Sequence, residues 1–288
     1  MSFGIALSGG GARGAAHVGV MCALEEAGML PSSVSGTSAG SIIAGLYAVG
    51  MTAGEMKEKV IELANNSSTL VDGDYVGILG SIVQLFRGNP IRFSGFLKGD
   101  KLERYLEGLT AGKNISALKM RTVLTAVDLY SRKTIAYVNS LNGVSQMKNV
   151  VWKTDIKIST AMRASSAVPA IFQPKLIDGM CLVDGGVTDV VPVDLLIAAG
   201  EPNVLAVDLS ENYPMKPDAN ILDVCTNSLS VLMGCLSEYR ASGETLMITP
   251  QLPESTSVLT FDEMVTCMDA GYKAAKELMP KIKRLFTP

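Results

Sequence analysis

Histidine is nearly absent from this sequence, and charged residues are scarce. His17 is the only histidine among 288 residues, and aspartate, glutamate, lysine and arginine together make up 18 %. The net charge is −3 and no block of five like charges occurs, which argues against nucleic acid as a partner. Hydrophobic residues make up 48 %, so the chain carries enough apolar side chains to bury a large core.

Cysteines are also few, and their spacing excludes two further kinds of structure. The five cysteines are an odd number without any C-x-x-C pair, and they are Cys22, Cys181, Cys225, Cys235 and Cys267. This pattern fits neither a disulfide framework nor a zinc site. We therefore expect reduced cysteines in the core of a cytoplasmic protein.

Signals for export and for membrane spanning are missing as well. Residues 1–10 lack a basic region and contain only a short apolar run, unlike a secretory signal peptide. Residues 28–54 carry no charge, but they include Pro31 and six glycines. Such a composition favours a buried strand, turn and helix over a membrane span. Without a convincing linker or repeat, residues 1–288 are expected to form a single domain.

The pattern that organises the chain is the G-x-S-x-G segment Gly36-Thr37-Ser38-Ala39-Gly40. The residues PSSVSG lead into it and the uncharged run SIIAGLYAVG follows, which predicts a strand, a sharp turn and a helix. Gly36 and Gly40 permit a strained turn that exposes the Ser38 hydroxyl at the start of a helix. The segment indicates a nucleophilic serine, and the alternative for the bare motif is a glycine-rich turn with an incidental serine.

A second glycine-rich loop follows the first predicted strand, residues 3–8. Gly9, Gly11 and Gly14 match the G-x-G-x-x-G pattern of dinucleotide-binding loops. That site requires an acidic residue at the end of the second strand, where this chain has Ser35-Gly36-Thr37-Ser38, so nucleotide binding is disfavoured. Successive glycines also let backbone N–H groups converge on a developing negative charge, which predicts an oxyanion hole.

Residues 51–110 form a candidate insertion. Helix patterns at 51–68 and 100–109 flank an irregular apolar stretch with several glycines, residues 70–98. The stretch fits a helix pair packed on the sheet, and it also fits a lid or a membrane-touching insert that lines an acyl chain. The pattern leaves both interpretations open.

Strand and helix patterns continue to alternate after residue 120. They indicate hairpins at 121–138 and 172–186, the latter turning at Asp178-Gly179, and a buried strand at 203–210. Helices are expected at 155–165, 220–240 and 262–285. The alternation predicts an α/β fold with three layers, in which helices cover both faces of a mainly parallel central sheet.

A serine nucleophile needs a proton acceptor. His17 lies one turn into the first helix, and a structural role is favoured for it because a triad needs a third, orienting group. Asp184 is the best carboxylate, since it ends an apolar strand, precedes two glycines and would have a raised pKa if buried. The same local pattern leaves four competitors, which are Asp128, Asp189, Asp194 and Asp208.

Three blocks in this order resemble the signature of the patatin-like phospholipases: GGGARG at 9–14, GTSAG at 36–40 and DGG at 184–186. The stretches ASSAVPAIFQP at 164–174 and GDKLERYL at 99–106 are also similar to that family. The resemblance implies a Ser-Asp dyad with Ser38 as nucleophile and Asp184 as base, and no metal, cofactor or catalytic histidine. Gly36 and Gly40 then form the nucleophile elbow. The oxyanion hole falls on Gly9, Gly10, Gly11, Ala12 and Arg13.

The resemblance also implies a substrate class. It points to a phospholipase A or lysophospholipase that hydrolyses lipid esters and contacts the inner face of a membrane peripherally. A soluble carboxylesterase or thioesterase with the same dyad remains open, as does a non-catalytic lipid- or nucleotide-binding module. The sequence leaves the oligomeric state undetermined.

Overall fold

A computed structural model describes residues 2–66, 72–73, 94–210, 221–240, 243–256 and 260–287. The strands are β1 (Gly4–Leu7), β2 (Ser33–Gly36), β3 (Gly95–Leu97), β4 (Arg121–Asp128), β5 (Lys133–Val138), β6 (Val150–Lys153), β7 (Ala170–Phe172), β8 (Lys175–Ile177), β9 (Met180–Asp184), β10 (Val204–Val207) and β11 (Leu246–Ile248). The α-helices are α1 (Ala15–Glu26), α2 (Ala39–Ala48), α3 (Ala53–Asn65), α4 (Asp100–Thr110), α5 (Ile158–Ser165), α6 (Val193–Ala198), α7 (Ile221–Arg240) and α8 (Met264–Phe286).

The central sheet is mixed and mostly parallel. Its strand order is β11-β10-β1-β2-β4-β5-β6, and the first five of these strands run parallel to one another. Alternate residues of each strand enter different cores: Ile5 packs on the face covered by α1, whereas Ala6 packs on the face covered by α6. Helices thus flank both faces, which confirms the predicted α/β fold class.

One irregularity in the sheet determines where the candidate site forms. β2 ends at Gly36, which pairs with Leu124 of β4. Beyond that point β9 takes the place of β2 beside β4, running antiparallel, with Asp184 opposite Ala126. Since β5 occupies the other edge of β4, the end of β9 meets the chain as it leaves β2. The topology therefore brings Asp184 close to the turn at Ser38.

The helix that follows the glycine loop is fixed by a close crossing with the last helix. A Cβ atom on Gly19 of α1 would collide with the Met268 carbonyl, and one on Gly271 of α8 would collide with the Ala16 carbonyl. Glycine at both positions lets the two backbones touch. The crossing holds α1, and with it the loop before α1, against the body of the domain.

The candidate insertion is described only in part. α3 and α4 lie where helices were expected, and β3 adds a short strand that pairs in parallel with β7. The predicted lid spans residues 70–98, of which 70–71 and 74–93 lie outside the described residues. Both the lid and the single-domain assignment therefore stay predictions. None of the described helices has the length and apolarity to cross a membrane.

Candidate active site

Ser38 lies on a strained turn between β2 and α2. Its backbone has φ +52° and ψ −123°, a conformation that costs a non-glycine residue about 1–3 kcal/mol. Close packing on both sides requires glycine: a Cβ on Gly36 would collide with the Gly40 carbonyl, and a Cβ on Gly40 would collide with the Leu7 carbonyl. The G-x-S-x-G spacing is thus explained by the geometry of this turn.

The carboxyl group of Asp184 is completely buried beside this turn. Its Oδ1 accepts a hydrogen bond from the Gly186 N–H at 2.8 Å. Burial raises the pKa of Asp184 to about 6, although the Ser38 hydroxyl and the Gly186 N–H both favour the charged form. Its Oδ2 has no well-aligned hydrogen bond from any described residue. The Ser38 hydroxyl lies close enough to the carboxyl to favour its charged form, although the two groups are not aligned as a strict hydrogen bond.

The two glycines after Asp184 are required by their neighbours. A Cβ on Gly185 would collide with the Thr125 side chain of β4, and a Cβ on Gly186 would collide with Met233 of α7. The chain can therefore turn directly after β9 into a short 3₁₀ helix, Gly185–Val187. This tight turn supplies the N–H group that orients the Asp184 carboxyl.

The glycine loop packs against the same serine. A Cβ on Gly9 would lie 3.4 Å from the Ser38 Cβ, and the loop continues into a 3₁₀ helix, Gly11–Gly14, before α1. The Gly9 N–H donates to the Val190 carbonyl at 3.2 Å, and the Arg13 N–H donates to the Gly10 carbonyl at 3.2 Å.

Three other backbone N–H groups of this loop have no carbonyl acceptor among the described residues. Within the part of the chain that the structure describes, the N–H groups of Gly10, Gly11 and Ala12 donate to no other residue. The Arg13 guanidinium braces the loop through Nε, which donates to the Gly10 carbonyl at 3.5 Å. Of the five residues predicted for an oxyanion hole, three retain available N–H groups.

Ser38 borders two cavities. The smaller, about 60 Å³, contains Asp184 and the glycine loop, and residues of α7 form its outer wall. The larger, about 160 Å³, is bounded by α2, α3, α4 and β7. Its lining is strongly apolar and includes Ile42, Val60, Leu106, Leu109, Val168 and Phe172. A group attached to Ser38 can therefore extend into an apolar cavity.

His17 has a hydrogen-bond partner other than Ser38. It is fully buried, and its Nε2–H donates to the Ser8 carbonyl at 2.9 Å. Burial lowers the pKa of His17 to about 4, so the ring is neutral at physiological pH. It lines neither cavity beside Ser38. Its contact supports the start of the glycine loop, in line with the structural role favoured for it.

Three of the four competing carboxylates, Asp128, Asp194 and Asp208, have other hydrogen-bond partners. Asp128 accepts hydrogen bonds from Ser131 and from the Cys181 N–H. Burial opposes its ionisation, but these bonds outweigh that effect and lower its pKa. Asp208 accepts from Ser210 and Ser237, and Asp194 accepts from the N–H of the next residue in α6. None of these three lines a cavity with Ser38.

One contact in the site was missed by the sequence analysis. Ser165, at the end of α5, is buried, and its Oγ accepts the Ser38 N–H at 2.9 Å. Ser165 belongs to the ASSAVPAIFQP stretch, but its spacing from Ser38 in the sequence carries no periodic signal.

In the described residues, no group of three histidine, cysteine, aspartate or glutamate side chains could hold a metal ion.

The relatives that this chain matches are longer proteins. An uncharacterized NTE family protein of Mycobacterium tuberculosis is 28 % identical over 212 residues, which cover 74 % of this chain and 31 % of that protein. Patatin-like phospholipase domain-containing protein 6 of Mus musculus is 27 % identical over 205 residues, covering 71 % of this chain and 13 % of that protein. This chain thus spans less than half the length of these relatives.

The fold and the family are supported independently. The crystal structure of VipD from Legionella pneumophila aligns with a TM-score of 0.52 and 16 % identity, covering 97 % of this chain and 67 % of VipD, so the two share a fold. The family model described as patatin-like phospholipase matches residues 5–197, which include the glycine loop, the Ser38 turn and Asp184. The chain belongs to the patatin-like phospholipase family.

Proposed function

We propose that this chain is a serine acyl hydrolase that cleaves lipid esters of the phospholipase A or lysophospholipase class. The observation that carries the proposal is the arrangement at the Ser38 turn. A buried carboxyl with a raised pKa, Asp184, shares a cavity with Ser38 and with backbone N–H groups that have no described acceptor. Family membership supports the choice of a lipid substrate.

In the proposed reaction Ser38 is the nucleophile and Asp184 is the base. The Ser38 Oγ attacks the ester carbonyl carbon while its proton passes to Asp184. The tetrahedral intermediate collapses, and the alcohol leaves with the proton from Asp184. A water molecule then attacks the acyl-enzyme and gives a proton to Asp184, which returns it to Ser38 as the fatty acid departs.

The negative oxygen of the intermediate is assigned to backbone donors. Gly10, Gly11 and Ala12 are favoured because their N–H groups are not used in described hydrogen bonds. Ala39 begins α2, where an N–H has no acceptor within the helix, and it completes the set. Such donors each contribute about 3 kcal/mol to lowering a barrier of this type.

The larger cavity is proposed to hold the acyl chain. A buried apolar cavity of similar size accommodates benzene, so about 160 Å³ suits roughly six carbons of an acyl chain next to the ester. Longer chains would extend beyond it. We place the substrate in a membrane or lipid aggregate and the protein in peripheral contact with it, on the cytoplasmic side.

The test compares three variants on soluble and aggregated esters. Ser38→Ala and Asp184→Asn are expected to lose hydrolysis of both while keeping wild-type circular dichroism, whereas His17→Ala keeps most of the activity. Retained activity in Asp184→Asn would overturn the dyad. Higher rates on a soluble short ester or thioester than on any lipid would instead indicate a soluble esterase.

The acyl site is tested by filling the cavity. Val60→Phe is expected to shift the preferred p-nitrophenyl ester toward shorter chains, because the added ring occupies the space of the chain. Leu141→Phe is the control, since Leu141 is exposed outside the site. An unchanged chain-length profile in Val60→Phe would exclude this cavity as the acyl site.

A further inference from the structure

The helix α7 presents four large apolar side chains to solvent. Ile221, Val224, Val231 and Leu232 are exposed to 77 %, 44 %, 52 % and 66 %, and we call these four residues the outer stripe. At 3.6 residues per turn their positions fall within an arc of about 100°, so they share one side of the helix. A surface helix in water normally shows the opposite pattern, with its apolar face turned to the core.

The inner face of the same helix forms part of the candidate site. Thr226, Leu229, Ser230 and Met233 line the small cavity that contains Ser38 and Asp184. Met233 also packs so closely on Gly186 that a side chain there would collide with it. The outer stripe is therefore separated from the reacting groups by the thickness of one helix.

The charge pattern of α7 limits what can bind to it. Between Asp223 and Glu238 the helix contains no charged residue. Val187, which is 37 % exposed on the 3₁₀ helix after Asp184, lines the same small cavity and extends the apolar rim. A partner for such a surface gains from burying apolar side chains rather than from pairing charges.

We propose that the outer stripe of α7 docks on a lipid surface with the helix lying in the interface. This inference rests on the proposed function, because an ester in that surface would then face the cavity that α7 borders. The absence of charge along the stripe makes the docking hydrophobic. Binding should accordingly need no anionic lipid and should resist salt, in contrast to attachment through basic residues.

The binding experiment uses Ser38→Ala protein, so that turnover cannot alter the vesicles. Flotation with phosphatidylcholine vesicles is measured at about 50 mM and about 500 mM NaCl, with equal binding expected at both. Adding Val231→Asp and Leu232→Asp is expected to weaken binding by roughly a hundredfold, because two apolar side chains leave the interface. Thermal unfolding of each variant verifies that the fold persists.

Leu30→Asp is the matched control. Leu30 is 58 % exposed, but it precedes β2 and so lies at the opposite end of that strand from Ser38. This variant is expected to bind vesicles as the parent does. The proposal would be overturned if Leu30→Asp weakened vesicle binding as much as the stripe variant does, or if the parent did not bind vesicles at all. It would also be overturned if the protein formed dimers without lipid and the stripe substitutions dissociated them.

The two proposals fail in different ways. With Ser38 intact, the ratio of vesicle to soluble-ester hydrolysis should fall roughly a hundredfold in the stripe variant, in step with its binding. An unchanged ratio would contradict docking by α7 while leaving the hydrolase assignment in place. Absence of any hydrolysis in the wild type would contradict the proposed function, and vesicle binding by Ser38→Ala protein would still decide the docking.

Discussion

The backbone N–H of Ser38 donates a hydrogen bond to the Oγ of Ser165 at 2.9 Å. Ser165 ends α5, so this bond ties the strained turn to a buried helix on a different part of the chain. It also occupies the N–H of the proposed nucleophile. The proposed mechanism therefore assigns the oxyanion donors to the loop before α1 and to Ala39.

Ser165→Ala is expected to lower kcat about tenfold or more with little change in KM, because the turn loses a bond that fixes the position of the nucleophile. The buried Ser38 N–H would be left unsatisfied, which costs about 1–3 kcal/mol of stability. Steady-state kinetics and urea unfolding measure the two effects. Ser159→Ala is the control on the same helix, since the buried Ser159 hydroxyl has no described partner. Equal kinetics in the two variants would exclude a positioning role for Ser165.

The rate should depend on the ionisation of Asp184. Burial raises the pKa of this carboxyl to about 6, and only its charged form can accept the serine proton. kcat/KM for a soluble ester is therefore expected to rise with pH up to an apparent pKa near 6 and then level off. A profile that is flat from about pH 4 to pH 8 would contradict a base with this pKa.

Asp184→Asn should stabilise the protein while inactivating it. The pKa of Asp184 is higher in the folded chain than in the unfolded chain, so the ionised carboxyl destabilises the fold above pH 6 and the penalty disappears toward low pH. A rise of the pKa from 3.8 to about 6 corresponds to about 3 kcal/mol. Urea unfolding should show this gain near pH 8 and little gain near pH 4. A loss of stability near pH 8 would contradict the burial of an unfavourable charge.

Gly11→Ala tests the oxyanion donors. Gly11 has φ +57°, so a side chain strains the loop that carries the three available N–H groups. Displacing one donor is expected to lower kcat by about 10²–10³-fold. Gly28→Ala is the matched control, because Gly28 has a similar φ of +69° with open space around it, beyond the end of α1. Similar activity in the two variants would remove this loop from the proposed mechanism.

Much of the fold follows from local patterns. The strand-turn-helix at Ser38, the hairpin turning at Asp178-Gly179 and the helices α7 and α8 lie close to their predicted positions, because apolar spacing and glycines act over a few residues. The pairing of β9 with β4 is different. It depends on contacts between Asp184 and Ala126, which are 58 positions apart, and no periodicity records it.

In the candidate site, too, some features follow from local sequence patterns and others depend on contacts between distant residues. The G-x-S-x-G spacing identifies Ser38 as the candidate nucleophile, but local pattern leaves Asp184 with four competing aspartates. The resemblance carried by the three ordered blocks is what favours Asp184. Sequence could not reveal that the N–H groups of Gly9 and Arg13 are already engaged, nor that Ser165 holds the turn, because hydrogen bonds depend on backbone direction. The outer stripe of α7 was also unforeseen, since an apolar helix is expected to face the core.

The most direct test of the central claim is the intact mass of the protein after reaction with a fluorophosphonate, which labels activated serines. The wild type is expected to gain one stoichiometric adduct, and Ser38→Ala is expected to gain none under the same conditions. An adduct that persists in Ser38→Ala, or no adduct on folded wild-type protein, would contradict Ser38 as an activated nucleophile.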